Sequence, residues 1–187
     1  MTDAAETSPT PTTPPSRDIG ALLQQGQGRW VLDPVASRVE FHVKHFWHMI
    51  TVHGRFDRVE GEGTVAPDGT VSGQLRIDAA SLNTGNKQRD KHLRSADFFD
   101  VEHHPEVIVA LTGAEPAGDG LACQATIEAA GHSEPVEFTA HIDAASAAAT
   151  AAIEVIVDRS KFGMTWSPLR MSSMDAKAIV VVRFVHD

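Results

Sequence analysis

Ser37-Arg-Val-Glu-Phe-His-Val-Lys-His45 alternates residue by residue, with Val39, Phe41, Val43 and His45 on one side and Arg38, Glu40, His42 and Lys44 on the other. A period of two puts successive side chains on opposite faces of a strand. One dry face and one wet face is the mark of an antiparallel sheet. The pattern continues outward from here. Residues 51–57 set Val52, Gly54 and Phe56 against Thr51, His53, Arg55 and Asp57. Pro67-Asp68-Gly69 has the residue types of a tight turn and joins 63–66 to 71–78, where Val71, Gly73, Leu75 and Ile77 share a face. Residues 107–113, 121–129, 135–142, 150–158 and 177–185 follow, separated by turn signals at 116–120 and at Gly131-His132. Allowing for segment boundaries, the reading of these nine segments is an all-β fold of eight antiparallel strands, either a sandwich or a closed barrel. A barrel has the advantage of leaving no unpaired edge.

One stretch breaks the alternation. Residues 81–105, SLNTGNKQRDKHLRSADFFDVEHHP, read as a helix and a short helical turn inserted between strands. Lys87, Arg89, Lys91 and Arg94 face Asp90 alone within 86–95, although the whole chain carries a formal charge of −9. A cationic island beside an apolar-lined sheet suits an amphiphile with an anionic or polar head.

The 187 residues fit one domain with a full core. The acidic balance, pI about 5.5, argues against nucleic acid as a partner. A single cysteine, Cys123, excludes an intrachain disulfide and any site needing two thiolates. Residues 1–17 are rich in Thr and Pro and are expected to form a disordered tail. They have neither a basic start nor an apolar run, so they read as neither secretory signal nor anchor, and a cytoplasmic location is expected. No run approaches the roughly 18 apolar residues of a membrane span, and stable membrane insertion is not expected. Residues 18–29 read as a short helix and linker: Asp18 caps, Ile19, Leu22 and Leu23 share a face, and Gly26 stops it. Such a turn could plug or cover the folded body, residues 30–187.

An eight-stranded barrel is either filled by its own side chains or holds one small ligand. Gly54, Gly73, Cys123, Ala125, Ala140, Ala151 and Ala178 are small inward positions, whereas Phe41, Phe56, Phe138 and Phe184 are large. That mixture favours an open apolar lumen over a filled one.

The chain resembles the YceI-like family, the bacterial polyisoprenoid-binding domains. The resemblance is carried by Trp30-Val-Leu-Asp33 with Ser37, by Val39–His45, and by Val52-His-Gly-Arg-Phe56. It extends through Ser81-Leu82 with Thr84, Arg89-Asp90, His92-Leu93, Ser95–Asp100 with Pro105, and Asp158-Arg-Ser-Lys-Phe-Gly163. It implies an extended lipocalin-like barrel whose long cavity binds an isoprenoid chain, an isoprenoid quinone or a similar lipid tail. Many relatives are exported to the periplasm.

The expected head-group residues are His45, at the end of the first long strand, and Arg89, Asp90 and His92 on the insert. Arginine suits phosphate because it donates two parallel hydrogen bonds, although a quinone or amide head would be served by neutral donors equally well. A structural role for Arg89 and Asp90, tying the insert to the sheet, weighs evenly against this, and Asp90 is placed to pair with Arg94. The expected lining is Val39, Phe41, Val43, Val52, Phe56, Leu75, Ile77, Phe98, Phe99, Phe138, Phe162, Trp166 and Phe184. Two apolar loops, Phe46, Trp47, Met49 and Ile50 and then Phe162, Met164 and Trp166, are candidate lids. Ten histidines invite a metal, but His42, His45 and His48, or His103-His104, lack the spacing of a closed site, and no metal or other cofactor is expected. No nucleophile elbow, phosphate loop or dinucleotide fingerprint is present. Non-catalytic carriage or sequestration of an isoprenoid-like lipid is therefore the leading expectation. The alternatives are an enzyme acting on the head of such a lipid and an interaction module with a filled lumen. The ligand is the expected partner; whether two chains form a homodimer is left open.

Overall fold

In the computed structural model, which describes residues 18–45, 49–145, 147–167 and 171–187, the alternating segments all become antiparallel strands. In chain order these are β1 (Gly28–Leu32), β2 (Arg38–His45), β3 (Ile50–Phe56), β4 (Val59–Val65), β5 (Val71–Asp78), β6 (Leu82–Asn83), β7 (Glu106–Ala117), β8 (Gly120–Ala129), β9 (His132–Ala145), β10 (Ala148–Asp158) and β11 (Ser172–His186). Helices α1 (Ile19–Gln25) and α2 (Lys87–Leu93) and two 3₁₀ turns, Ala79–Ser81 and Arg159–Phe162, complete the described residues.

Eleven strands occupy eight positions, because three positions hold two strands in line. Along β11, β1 pairs at Trp30↔His186 to Leu32↔Phe184, and β2 continues from Arg38↔Val181 to His45↔Ser172. The next position is β3 and β4, against β2 and β1 respectively. The one after is β5 and β6, joined through Ala79–Ser81. From β5 the wall runs through β7, β8, β9 and β10 back to β11, so the sheet closes. The fold is a closed eight-stranded antiparallel barrel with a helical insert, which decides between barrel and sandwich.

Local chemistry sets the turns. Gly69 N donates to Ala66 O (2.9 Å) and Ala66 N to Thr70 O (2.8 Å), closing the β4–β5 hairpin where Pro67-Asp68-Gly69 predicts it. Ala130 (φ 48°) and Gly131 (φ 78°) both take the left-handed conformation of a two-residue hairpin between β8 and β9. The reversal expected over 116–120 is tighter than that, since Pro116 lies inside β7 opposite Leu121. Here β7 has a neighbour on one side only, its pairing with β5 ending at Gly73↔Leu111, a place where proline is tolerated. The linker expected at 18–29 is also shorter, because Gly28 and Arg29 already belong to β1.

Helix α1 is capped by the Asp18 side chain, which accepts from Ala21 N (3.1 Å), and ends at Gly26, whose N–H donates to Leu22 O. Ile19 is buried against Leu121, Cys123 and Ala140, with Leu22 and Leu23 packed alongside. The helix therefore lies across one end of the barrel. Helix α2, capped by Asn86 Oδ1 accepting from Gln88 N and Arg89 N, sits at the opposite end. The β9–β10 pairing stops at Ile153↔Ala140, short of that end, and Arg159–Phe162 packs beside β9.

Gly54 stands opposite Phe41 on the neighbouring strand. A Cβ built on it would come within 2.2 Å of Phe41 Cζ, so the ring lies directly over the glycine. Gly54→Ala must push that ring aside, and overpacking of this kind costs about 2 kcal/mol. A chemical-denaturation midpoint equal to that of the parent chain would contradict this packing.

On the outer face His42 and His53 are cross-strand partners with ring centroids 4.1 Å apart. Burial, and then the neighbouring His53, lower the pKa of His42 below the usual imidazole value. The native state thus binds fewer protons here than the unfolded chain. It carries no penalty above about pH 6.5 and loses stability as the pH falls through that value, until the lowered folded pKa is passed. His103 acts in the opposite direction: hydrogen bonding to Asp100 raises it, adding stability below the unfolded pKa that is lost as the pH rises through the folded one. His42→Gln should therefore flatten the acid side of a melting-temperature profile between pH 7.5 and 5.5. An unchanged profile would rule His42 out.

Candidate functional site

Inward-facing side chains enclose two compartments. One, of about 450 Å³, lies beneath α1 and is lined by Ile19, Leu22, Leu23, Trp30, Leu111, Leu121, Cys123, Ala140, Ala151 and Phe184, among others. The other, of about 830 Å³, lies toward α2. Leu75, Val109, Phe138, Ile153 and Val180 line both. The lumen is open rather than filled. Its small wall residues lie where the alternation predicts: Gly73, Cys123, Ala125, Ala140 and Ala151 around the α1 compartment, and Ala178 in the α2 compartment. Gly54 is the exception, because Phe41 covers it. Burial pushes the Cys123 thiol up, so it is a neutral wall group rather than a nucleophile.

The predicted lining divides between the compartments. Val39, Phe41, Val43, Val52, Phe56, Leu75, Ile77, Phe98, Phe99, Phe138, Phe162 and Trp166 line the larger one. Phe184 belongs to the smaller one, which Leu75 and Phe138 also reach. Phe56 bridges Phe41 (centroids 5.6 Å apart) and Phe99 (5.6 Å, edge to face), making an aromatic row along the larger compartment. At its rim Ile50 is 52% and Trp166 42% exposed, which marks the end where this compartment meets solvent. Neighbouring Met49 is exposed as well. Of the two candidate lids, Phe46 and Trp47 lie outside the described residues. Phe162 and Met164 are buried core residues, so only Trp166 of that loop stands at the rim.

The polar groups gather at this rim. His45 lines the compartment, and its Nδ1 is hydrogen-bonded to Ser172 Oγ. Arg89, His92 and Leu93 share the inward face of α2. His92 packs edge to face on Trp166 (4.4 Å) and Phe98 (5.2 Å), with Nε2 2.9 Å from Asp97 Oδ2. Asp90 is the correction. It does not line the lumen but is buried, accepting from Thr84 N (2.9 Å) and Thr84 Oγ1 (2.5 Å). Nor does it pair with Arg94, whose guanidinium donates to the Ala80 and Leu82 carbonyls. The reason is local: the chain turns at Gly85 (φ 74°), which brings Thr84 back beneath the helix and nearer to Asp90 than Arg94 comes. Arg89 shares this anchor, donating from Nε to Thr84 Oγ1 (2.8 Å) and from Nη2 to Thr84 O (2.9 Å).

Sequence reasoning missed Arg159. It lines the larger compartment although only 7% exposed. It donates to Ser173 O (2.9 Å), Met164 O and Trp166 O (3.2 Å), and its guanidinium lies 5.6 Å from the Phe98 ring centre. Burial lowers its pKa without removing its charge. The signal was present in the segment Asp158-Arg-Ser-Lys-Phe-Gly163, but nothing in that spacing shows that the arginine turns inward. No group of three or more His, Cys, Asp or Glu placed to hold a metal occurs among the described residues. Nor is any helix among them long and apolar enough to cross a membrane.

A barrel of eight strands around an apolar lumen is the architecture of lipocalin-like ligand-binding domains. The YceI-like domain model matches residues 30–185, and the chain belongs to that family. It is similar to a UPF0312 protein of Pectobacterium atrosepticum, 30% identical over 108 residues, and to one of Pseudomonas aeruginosa, 28% identical over 106. These matches cover 56% of this chain and 55% of either relative, so the chain spans about half the length of the curated relatives it matches. Among solved structures, BcnA of Burkholderia cenocepacia superimposes with a TM-score of 0.74 at 19% identity, over 81% of this chain and 98% of that one. A polyisoprenoid binding domain from Saccharophagus degradans gives 0.70 at 18%, over 84% and 98%. The Campylobacter jejuni YCEI protein gives 0.66 at 21%, over 74% and 87%.

Proposed function

We propose that the protein binds and carries, or sequesters, a long-chain isoprenoid or similar amphiphilic lipid in its barrel, without catalysis. The observation behind this is the wall itself. Phe41, Val43, Val52, Phe56, Phe138 and Ile153 point inward yet keep accessible surface, because the space they face is not filled by protein. Removing a hydrocarbon chain from water yields roughly 0.8 kcal/mol per methylene, or about 3–4 kcal/mol per five-carbon unit as an upper bound. Several units suffice for tight binding with no strong polar contact. The rim groups would then orient the head and discriminate against others. The solved polyisoprenoid binding domain of the same fold supports the choice of ligand class.

The test is uptake. Delipidated protein incubated with radiolabelled geranylgeraniol should emerge from gel filtration carrying about one molecule per chain. Failure to retain this or any other prenyl or alkyl probe would refute the reading. The hydrogen-bonded Ser172 and His45 favour one second reading, hydrolysis of an ester at the lipid head, since a hydroxyl beside an imidazole is the minimal nucleophile and base. Turnover of prenyl or acyl esters by the parent chain, lost in Ser172→Ala, would decide for it.

A further inference from the structure

The two compartments lie in line along the strands. On β11, Ala176 and Ala178 line the larger one, Val180 lines both, and Val182 and Phe184 line the smaller one. β10 repeats the order, from Val157 and Val155 through Ile153 to Ala151 and Ala149. From Ala176 to Phe184 is roughly 27 Å of strand, at about 3.4 Å per residue. A hydrocarbon chain that fills the larger compartment from the α2 end therefore points its tip into the smaller one.

Helix α1 ends that path. Beyond the shared wall the barrel's own side chains are small at Gly73, Ala125, Ala140, Ala149 and Ala151, and α1 supplies bulk through buried Ile19 and half-buried Leu22 and Leu23. The helix is fixed at both ends. Ile19 packs against Leu121, Cys123 and Ala140, while Trp30 Nε1 donates to Gly26 O (2.7 Å) and His186 Nε2 is hydrogen-bonded to Gln27 O (2.9 Å). It is built as a stop rather than a swinging cover. Among the described residues, the charged group on this lining is Glu62, which is exposed and turned to Arg29 (2.9 Å), so the compartment suits a hydrocarbon tip and not a second head. Helix α1 also precedes residues 30–185, which the YceI-like model matches, so this closure is an addition to the matched domain.

Affinity climbs while each added carbon leaves water, and stops climbing when the tip meets a fixed wall, because forcing atoms into packed side chains is unfavourable. We propose that α1 is a chain-length gauge: Leu22 and Leu23 set the longest tail the barrel buries. This rests on the carriage reading and names the tail length that reading leaves open.

The test measures prenols from C10 to C40 on the delipidated full chain, by competition with radiolabelled geranylgeraniol. Each variant is read as its Kd divided by that of the parent for the same prenol, which cancels the prenol's own behaviour in water. Leu22→Ala or Leu23→Ala should tighten the longest prenols threefold or more, with the C10 and C15 members within twofold of the parent. Ala151→Trp, which narrows the smaller compartment alone, should weaken the long members tenfold or more and spare the short ones. Retained binding of the short members also shows that a variant is folded. Ratios independent of chain length in all three variants overturn the gauge and leave carriage standing. Length dependence confined to Ala151→Trp overturns it too, since the tip then stops short of the helix. So does weaker binding of long prenols by the α1 variants, which would make the helix a contact and not a limit. No binding of any prenol by the parent chain overturns carriage itself.

Discussion

Ala178→Trp is expected to weaken binding of a C20 prenol at least tenfold while leaving the melting temperature within a few degrees of the parent. Ala178 lies in the wall between Phe41 and Val155 and lines the larger compartment. An indole there projects into about 830 Å³ of space rather than into packed neighbours, so the usual overpacking cost of about 1–3 kcal/mol is largely avoided. It does take volume from the ligand. Displacing as few as two methylenes forfeits about 1.6 kcal/mol, which is slightly more than tenfold in Kd. Titration with the radiolabelled prenol and a thermal melt decide the matter together. Unchanged affinity with unchanged stability would mean that the chain does not lie in this compartment.

Arg159→Met has the largest expected effect on stability, about 2–3 kcal/mol. One guanidinium gathers the carbonyls of Met164, Trp166 and Ser173, fastening the segment after Arg159–Phe162 to the start of β11. Methionine fills much of the volume but donates nothing, and buried acceptors left without a partner cost about 1–3 kcal/mol each, offset in part by removal of a buried charge. Arg159→Lys should rescue little, because a single ammonium cannot reproduce the planar fork. Urea denaturation followed at Trp fluorescence reads both variants. A loss below about 0.5 kcal/mol for Arg159→Met would show that these carbonyls are satisfied by water.

Where inward residues were large and apolar, the barrel was legible from sequence. β2 is the clearest case, since Val39, Phe41 and Val43 alternate with charged or polar neighbours. β4 was read short, as 63–66 instead of Val59–Val65, because its inward positions include Gly61 and Gly63, and glycine gives no hydrophobic signal. Gly61 leaves room for the close approach of Gln74 O, 3.0 Å from where a Cβ would stand. β11 begins at Ser172, not Lys177, since its first residues are polar and the register shifts between Ser172 and Ala176. β1 passed unlisted as a strand because Trp30-Val31-Leu32 is an unbroken apolar run with no alternation to read.

The candidate site was less legible for a different reason. Helical spacing puts Arg89 and Leu93 on one face, and the structure adds His92 to it, but the destination of a polar side chain depends on what the fold brings near it. Asp90 went to Thr84 through a turn at Gly85, and Arg159 turned inward beneath a loop whose carbonyls no sequence pattern announces. His45 was found because it continued the apolar face of β2, yet its partner Ser172 lies 127 residues away along the chain. Periodicity carries no information over such a distance.

Extraction of the natively produced protein with organic solvent, followed by mass spectrometry, tests the hollow barrel most directly. The account predicts close to one equivalent of a long-chain amphiphile per polypeptide, absent or greatly reduced in Ala178→Trp prepared identically. Protein that yields no lipid and takes none up when prenyl compounds are added back would contradict it.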